Sequence, residues 1–343
     1  RSEWAVSAIL LSLNRPLLPS MASGDNGEDL SNWMTNLPLA VKRKPITKVA
    51  IPGSHDSFAF SSSLSTSLPV ANDASSTLRR AGSFPGVRRF IKRWAVTQSL
   101  SITDQLKAGI RYFDLRISNP PMSDDPESSF RCVHALYGAP LLEIIESVRE
   151  FLEKHPGEVV FIDMNHLYGF NEDATFTDMM QTILCVFSPS QIIPPPNDSR
   201  SISEYTLERL QTAGQNVILL APYLGDSLPF TDILWSTRHI QSPWPDSDKI
   251  PYILQFLNRL SEEWRTQKNP NILLVYQGVA TVQGRDIALH PFSSLERYVS
   301  RSMTKATCGW LTERSSEDGI NIVIADFVCP EFSRLVTGIN LKK

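Results

Sequence analysis

A chain of 343 residues, 42% hydrophobic and 20% charged, has an ordinary globular composition and enough length for one large α/β domain or two smaller ones. A net charge of −3 offers no basic field for nucleic acid, and no apolar run is long enough to span a bilayer as a helix. The four cysteines (Cys132, Cys185, Cys308, Cys329) show neither a CxxC pair nor a metal-ligand spacing, so they read as reduced thiols rather than a disulfide framework.

Residues 1–45 read as a poorly ordered N-terminal extension, and 46–343 as the folded domain. Within the extension, AVSAILLSL (5–13) has the length of a signal-peptide core and SMA (20–22) a small-residue cleavage pattern. Glu3 and a single preceding base argue against secretion, and Met21 is the better start, so the expected location is cytoplasmic. ITKVAIPG (46–53) follows as a strand stopped by Pro-Gly. The Ser-rich stretch 61–77 reads as a long mobile loop. Residues 78–94, LRRAGSFPGVRRFIKRW, hold six bases and no acid, interleaved with Phe84, Phe90, Ile91 and Trp94. Two readings stand for 79–93: a peripheral contact with anionic lipid, or a helix with a solvated basic face.

SITDQLKAG (101–109) predicts a helix that starts at a Ser-x-x-Asp box and stops at Gly109. IRYFDLRI (110–117) and FRCVHAL (130–136) predict strands. Apolar positions 141, 142, 144, 145, 148, 151 and 152 have helical spacing, ended by Pro156-Gly157. The strand EVVFIDMNH (158–166), the helix in FTDMMQTILCVF and a helix near 203–213 come next. The strand NVILLAP (216–222), a helix over 250–264, the strand ILLVYQG (272–278), a helix near 293–303 and the strand INIVIADF (320–327) complete the series. Strands alternating with helices predict a parallel sheet. No dinucleotide fingerprint or phosphate loop is present, so a TIM-type (β/α)8 barrel with a strand short or missing fits better than a doubly wound sheet, and no cofactor is implied.

Polar residues gather at the C-terminal ends of these strands: His55 and Asp56, Asp114 and Arg116, His134, Asn165 and His166, Tyr276 and Gln277, Asp326. That rim is where a parallel barrel builds its site. Any one of them alone reads as structural: a turn cap, an ion pair, a core histidine. Several on one rim reverse that preference. His155 lies on the opposite rim and is set aside, with His239 and His290. Arginine offers a planar fork for phosphate. Two histidines titrating near neutrality can serve one displacement as base and acid, and aspartates fix their tautomers. The chemistry is phosphodiester cleavage with no obligatory metal. A serine hydrolase built on Ser54 lacks the G-x-S-x-G elbow.

IPGSHDSF, DQLKAGIRYFDLRI, FRCVHALYG and FLEKHPGEVVFIDMNH, in that order, resemble the X domain of phosphatidylinositol-specific phospholipases C, above all the small eukaryotic proteins that contain an X domain alone. The resemblance runs from Ile46 to Asp326. It implies a distorted, incomplete TIM-type barrel and an inositol phospholipid substrate, cleaved through a cyclic phosphate to diacylglycerol and an inositol phosphate. It further implies His55 as general base, His134 as general acid, Arg116 on the phosphate, Asp56 paired with His134, Asp326 orienting His55, and Asp114 supporting the Arg116 region. Asn165 stands where bacterial members carry a basic residue, and with Tyr276 is expected near the substrate. Calcium-dependent members place carboxylates where this chain has Arg116 and Met164, so no metal is expected. Two alternatives stay open: a metal-dependent glycerophosphodiesterase, which wants Glu-x-Asp where this chain has Asp114-x-Arg116, and a non-catalytic inositol-lipid-binding scaffold.

Overall fold

The structure, a computed structural model, describes residues 29–120, 130–222, 230–266 and 272–342. The signal-like run 5–13 and the candidate start Met21 lie outside them. Among these residues ten strands form, in chain order: β1 (Ile51–Ser54), β2 (Tyr112–Ser118), β3 (Arg131–His134), β4 (Leu136–Pro140), β5 (Val160–Tyr168), β6 (Val217–Leu220), β7 (Leu234–Trp235), β8 (Ile240–Gln241), β9 (Leu273–Gly278) and β10 (Ile322–Ala325). Eight are parallel neighbours in the order β7-β6-β5-β2-β1-β10-β9-β8. This is barrel order with one seam open: among the described residues no ladder joins β7 to β8.

The strands are apolar on both faces because both are covered. Period-two alternation sends Ile51, Tyr112, Phe161, Ile218, Val275, Ile322 and Ile324 into an inner core. It sends Phe113, Leu115, Ile162, Met164, Leu219, Tyr276 and Val323 outward into a second core, against helices such as Leu141–Lys154, Ile250–Thr266 and Arg301–Thr312. The helix Ile102–Lys107 starts as its sequence predicts, the Ser101 hydroxyl accepting from the Asp104 N–H at 3.2 Å. Gly109 ends it at φ 99°, a value that glycine reaches without strain.

Three expectations need correction. Residues 130–136 are not a barrel strand: β3 and β4 form an antiparallel hairpin, and β3 runs antiparallel to the end of β2. β1 meets β2 only at Tyr112 and Phe113, so the later half of β2 would otherwise be a bare edge, and the hairpin covers it. Residues 29–45 are no loose extension. Short helices at Trp33–Asn36 and Leu39–Lys42 place Leu30, Trp33, Met34, Leu37 and Val41 in the inner core. The Ser-rich stretch is pinned as well: Leu64, Val70 and Ala71 are buried, and the Ala71 N–H donates to the Ala135 carbonyl at 3.0 Å.

The segment 29–45 closes the N-terminal end of the barrel around one buried ion pair, Arg111 with Glu158 at 2.9 Å. Arg111 also donates to the carbonyls of Leu30, Ser31, Leu106 and Ile110, and Glu158 accepts from the N–H groups of Met34 and Thr35. Two charges tolerate full burial only when their remaining donors and acceptors are met in this way.

Candidate active site

Each strand delivers its polar residue where its hydrogen bonding stops. Beyond β1 the chain turns at Asp56, which takes φ 39°. Ala135 (φ 56°) and Phe327 (φ 48°) do the same after His134 and Asp326. Left-handed non-glycine residues cost energy and persist only where the surroundings hold them. Three of the four such residues among the described positions lie within one residue of this rim set; Asp246 is the fourth.

The centre is the buried carboxylate of Asp56. Arg116 Nε lies 2.8 Å from its Oδ1, and the Nε2 atoms of His55 and His134 each lie 3.4 Å from its Oδ2. None of these contacts has hydrogen-bond geometry, so among the described residues the carboxylate is held by charge alone. The far ring nitrogens are fixed. His55 Nδ1–H donates to Asp326 Oδ1 at 2.8 Å, and His134 Nδ1–H donates to the Ala95 carbonyl at 2.7 Å. Both rings therefore turn Nε2 toward the centre. Asp326 is itself held by the Ser300 hydroxyl on its other oxygen, at 2.6 Å, and by Thr304 on its carbonyl. Ser300 closes the π-helical turn Glu296–Ser300 that precedes the helix Arg301–Thr312. Asp114 accepts from the Asp56 N–H at 3.2 Å and from Asn165 Nδ2.

These charges set one another's protonation. Burial alone would lower the His55 pKa, but the charge of Asp56, the hydrogen bond and charge of Asp326, and then Asp114 raise it to about 9. Burial would raise Asp56, but Arg116, His134 and His55 hold it at about 2. Burial, and then the charge of Asp56, push Asp114 upward. Below it Asp163 accepts from the Tyr112 hydroxyl, and burial raises its carboxyl to about 7.

The set forms the polar end of a cavity of about 640 Å3. Leu78, Phe90, Ile91, Trp94, Val282 and Leu295 build an apolar wall leading away from it. Phe90, Ile91 and Trp94 belong to the helix Pro85–Ala95, so the basic stretch is amphipathic in three stripes. One stripe lines the cavity. Arg88 and Lys92 donate to backbone carbonyls of residues 64, 67 and 68 in the Ser-rich segment. Arg89 and Arg93 are exposed, and Arg93 donates to the Pro291 carbonyl.

Of the residues expected from sequence, His55, Asp56, Asp114, Arg116, His134, Asn165 and Asp326 meet here, and Tyr276 does not. Tyr276 is fully buried on the outer face of β9, its ring 5.9 Å from Trp310, and Gln277 lines the cavity in its place. The alternation Leu273, Val275, Gln277 carried that signal. A β-bulge in β5, where Arg116 pairs with His166 after Asp114 pairs with Asp163, brings both Asn165 and His166 to the cavity. Asp73 holds the Ala135 N–H at 2.7 Å, and no motif in the sequence marks it.

His55, Asp56 and Asp114 each offer a ligand atom within 4.8 Å of the others, but the Arg116 guanidinium, 2.8 Å from Asp56 Oδ1, sets a fixed positive charge against a divalent ion there. Met164 faces the outer core and offers nothing.

No family model matches the chain. Among curated proteins it is 31% identical over 310 residues to PI-PLC X domain-containing protein 3 of Homo sapiens, covering 90% of this chain and 92% of that one. It is 30% identical over 302 residues to PI-PLC X domain-containing protein 2 of Mus musculus, covering 87% and 84%. Among solved structures, the phosphatidylinositol-specific phospholipase C of Listeria monocytogenes superposes with a TM-score of 0.63 at 18% identity, over 91% of this chain and 99% of that one. A pentafluoro-Phe-containing phosphatidylinositol-specific phospholipase C from Staphylococcus aureus gives 0.61 at 16% identity, over 92% and 99%.

Proposed function

Because the chain belongs to the PI-PLC X domain-containing protein family, we propose that it is a phosphoric diester hydrolase that cleaves an inositol phospholipid to diacylglycerol and an inositol phosphate. The observation that carries the reading is the convergence of two histidines and one arginine on a single buried carboxylate, at the polar end of an apolar-walled cavity. Arg116 takes the phosphate. His55 Nε2 removes the proton of the inositol 2-hydroxyl as that oxygen attacks phosphorus. His134 Nε2 gives a proton to the departing diacylglycerol oxygen. The cyclic phosphate is then opened by water with the two rings in exchanged roles. Apolar wall residues take the acyl chains, and Asn165, His166 and Gln277 stand beside the headgroup. Exposed Phe84, Leu289 and Phe292, with Arg79, Arg80 and Arg89, give the rim an apolar and cationic face suited to an anionic lipid surface.

The test is a phosphorus NMR time course on phosphatidylinositol, with and without chelator. The diester signal is expected to give way to a cyclic phosphate and then a monoester, at the same rate in both samples. Binding without conversion would favour the lipid-binding scaffold. Conversion that chelator abolishes and a divalent ion restores would make the protein a metal-dependent phosphodiesterase.

The charge around His55 also predicts a pH profile. A base must be unprotonated, and the folded His55 holds its proton to about 9. The rising limb of kcat/KM is therefore expected well above the usual histidine value, near 6.5. Asp326→Asn removes one of the charges that raise it, so the limb should move to lower pH while kcat falls. A wild-type limb near 6.5 that Asp326→Asn leaves in place would remove His55 from the base role.

A further inference from the structure

The helix Pro85–Ala95 runs directly into residues 96–98, and Ala95, Thr97 and Gln98 bond to His134, Asp56, His55 and the residues on either side of Asp326. The Ala95 carbonyl accepts from His134 Nδ1 at 2.7 Å. The Thr97 hydroxyl donates to the Asp56 carbonyl at 2.9 Å, and the Thr97 carbonyl accepts the Phe327 N–H at 2.7 Å. Gln98 Nε2 donates to the carbonyls of His55 and Ala325 at 2.8 and 3.1 Å, and its Oε1 accepts the Val328 N–H at 3.1 Å. Thr97 and Gln98 are fully buried, and their own N–H groups are anchored on the Ala59 carbonyl. The contacts coincide with the strained backbone. Two of them land on the left-handed residues Asp56 and Phe327, and a third on His134, which precedes left-handed Ala135.

We infer that residues 95–98 are a strap that holds the acid–base set in register, with Thr97 and Gln98 as its positioning residues. β1 and β10 end at Ser54 and Ala325, and the last backbone bond between them runs from the His55 N–H to the Ala325 carbonyl at 3.2 Å, so no ladder pairs Asp56 or Asp326. Side-chain and carbonyl groups of the strap take over where that ladder stops. Thr97 fixes the peptide that aims the Asp56 carboxylate, and Gln98 ties the His55 peptide to the end of β10, whose next residue is Asp326. Releasing either lets His55 and Asp326 drift apart. Displacements of about 1 Å at such a distance from the chemistry can cost about a hundredfold in rate.

The inference rests on the hydrolase reading for its kinetic arm and on geometry alone for its spectroscopic arm. Thr97→Val keeps the shape and removes the hydroxyl; Thr97→Ser restores it. With phosphatidylinositol, Thr97→Val should lower kcat about ten- to a hundredfold with KM little changed, and Thr97→Ser should recover most of the loss. In proton NMR of the ligand-free protein, the downfield Nδ1–H resonance of His55 should be sharp in wild type and Thr97→Ser, and shifted or broadened in Thr97→Val. Gln98→Met, which keeps chain length and loses both donors, should repeat the effect, and stands in if Thr97→Val does not fold. A folded variant with wild-type kcat and an unmoved His55 resonance overturns the strap. A wild type that hydrolyses nothing overturns the hydrolase reading, and the resonance then decides the strap by itself.

Discussion

His134→Ala is expected to lower turnover of phosphatidylinositol by two to four decades, the usual contribution of a positioned acid or base. His134 Nε2 faces Asp56 from 3.4 Å, while Nδ1 is committed to the Ala95 carbonyl, so only Nε2 can meet a leaving oxygen. The ring sits at the cavity edge and is half-buried, so little packing is lost and the variant should fold. The leaving group separates the two histidines. A diacylglycerol alkoxide needs a proton as it departs, whereas an aryl oxide such as nitrophenolate leaves without one. His134→Ala should therefore cost far less on an inositol nitrophenyl phosphodiester, and His55→Ala should cost about the same on both. Rates of both variants on the two substrates check this. Near-normal turnover by His134→Ala, or an equal loss on both substrates, would take the acid role from His134.

Arg116→Ala should cost about 3 kcal/mol or more of transition-state stabilisation, the value of one preorganised electrostatic donor. Arg116 Nε is engaged with Asp56 at 2.8 Å, and the proposed chemistry assigns its terminal NH2 groups to the phosphate. Removing the guanidinium has two effects. The phosphate loses its forked donor as charge builds on it. Asp56, fully buried and without a hydrogen bond among the described residues, loses the largest of the charges that balance it and keeps the histidines around it. Arg116→Lys returns a point charge without the fork, so it should recover part of the rate and little of the geometry. Single-turnover rates for the three proteins give the comparison. Equal rates for Lys and Arg would mean that charge alone is used, and an unaffected Arg116→Ala would remove the phosphate clamp.

Much of this site is legible in the sequence because a parallel barrel converts strand ends into one place. His55, Asp114, Arg116 and Asp326 could be assembled from that rule without coordinates. Tyr276 fails on parity: its neighbour Gln277 continues the inward row of Leu273 and Val275. The hairpin at 131–140 fails for a deeper reason. The reversal between β3 and β4 pivots on Ala135 at φ 56°, in VHALY, with no glycine, asparagine or proline at the bend to announce it. Tertiary bonds from Ala71 and Asp73 hold that turn, and local propensity cannot show them. β7 and β8 are two residues each, too short for any periodicity. The apolar positions of 30–41 were visible, but the polar residues around them favoured a loose tail. Their burial depends on the Arg111–Glu158 pair they cover.

The open seam between β7 and β8 also shapes how the chain comes together. The sheet is a strip whose two outer edges are consecutive in sequence, four residues apart, and whose middle joins the two ends of the chain. Among the described residues the β1–β10 ladder, pairing Ile51 with Ile322, is the one strand ladder that joins the first five parallel strands to the last three. His55, Asp56, Arg116 and His134 can gather while the first five assemble, but Asp326 arrives only when that ladder closes across some two hundred and seventy residues. Closing so long a loop is entropically costly, though the cost grows only with the logarithm of its length, and it is slow. The hydrogen-bond partner of His55 thus joins at the step most remote in sequence, so a completed His55–Asp326 pair reports that the two parts of the strip have met. Conversely, a backbone cut between Ser236 and His239 would sever no ladder, which makes that turn the natural joint between two complementary halves.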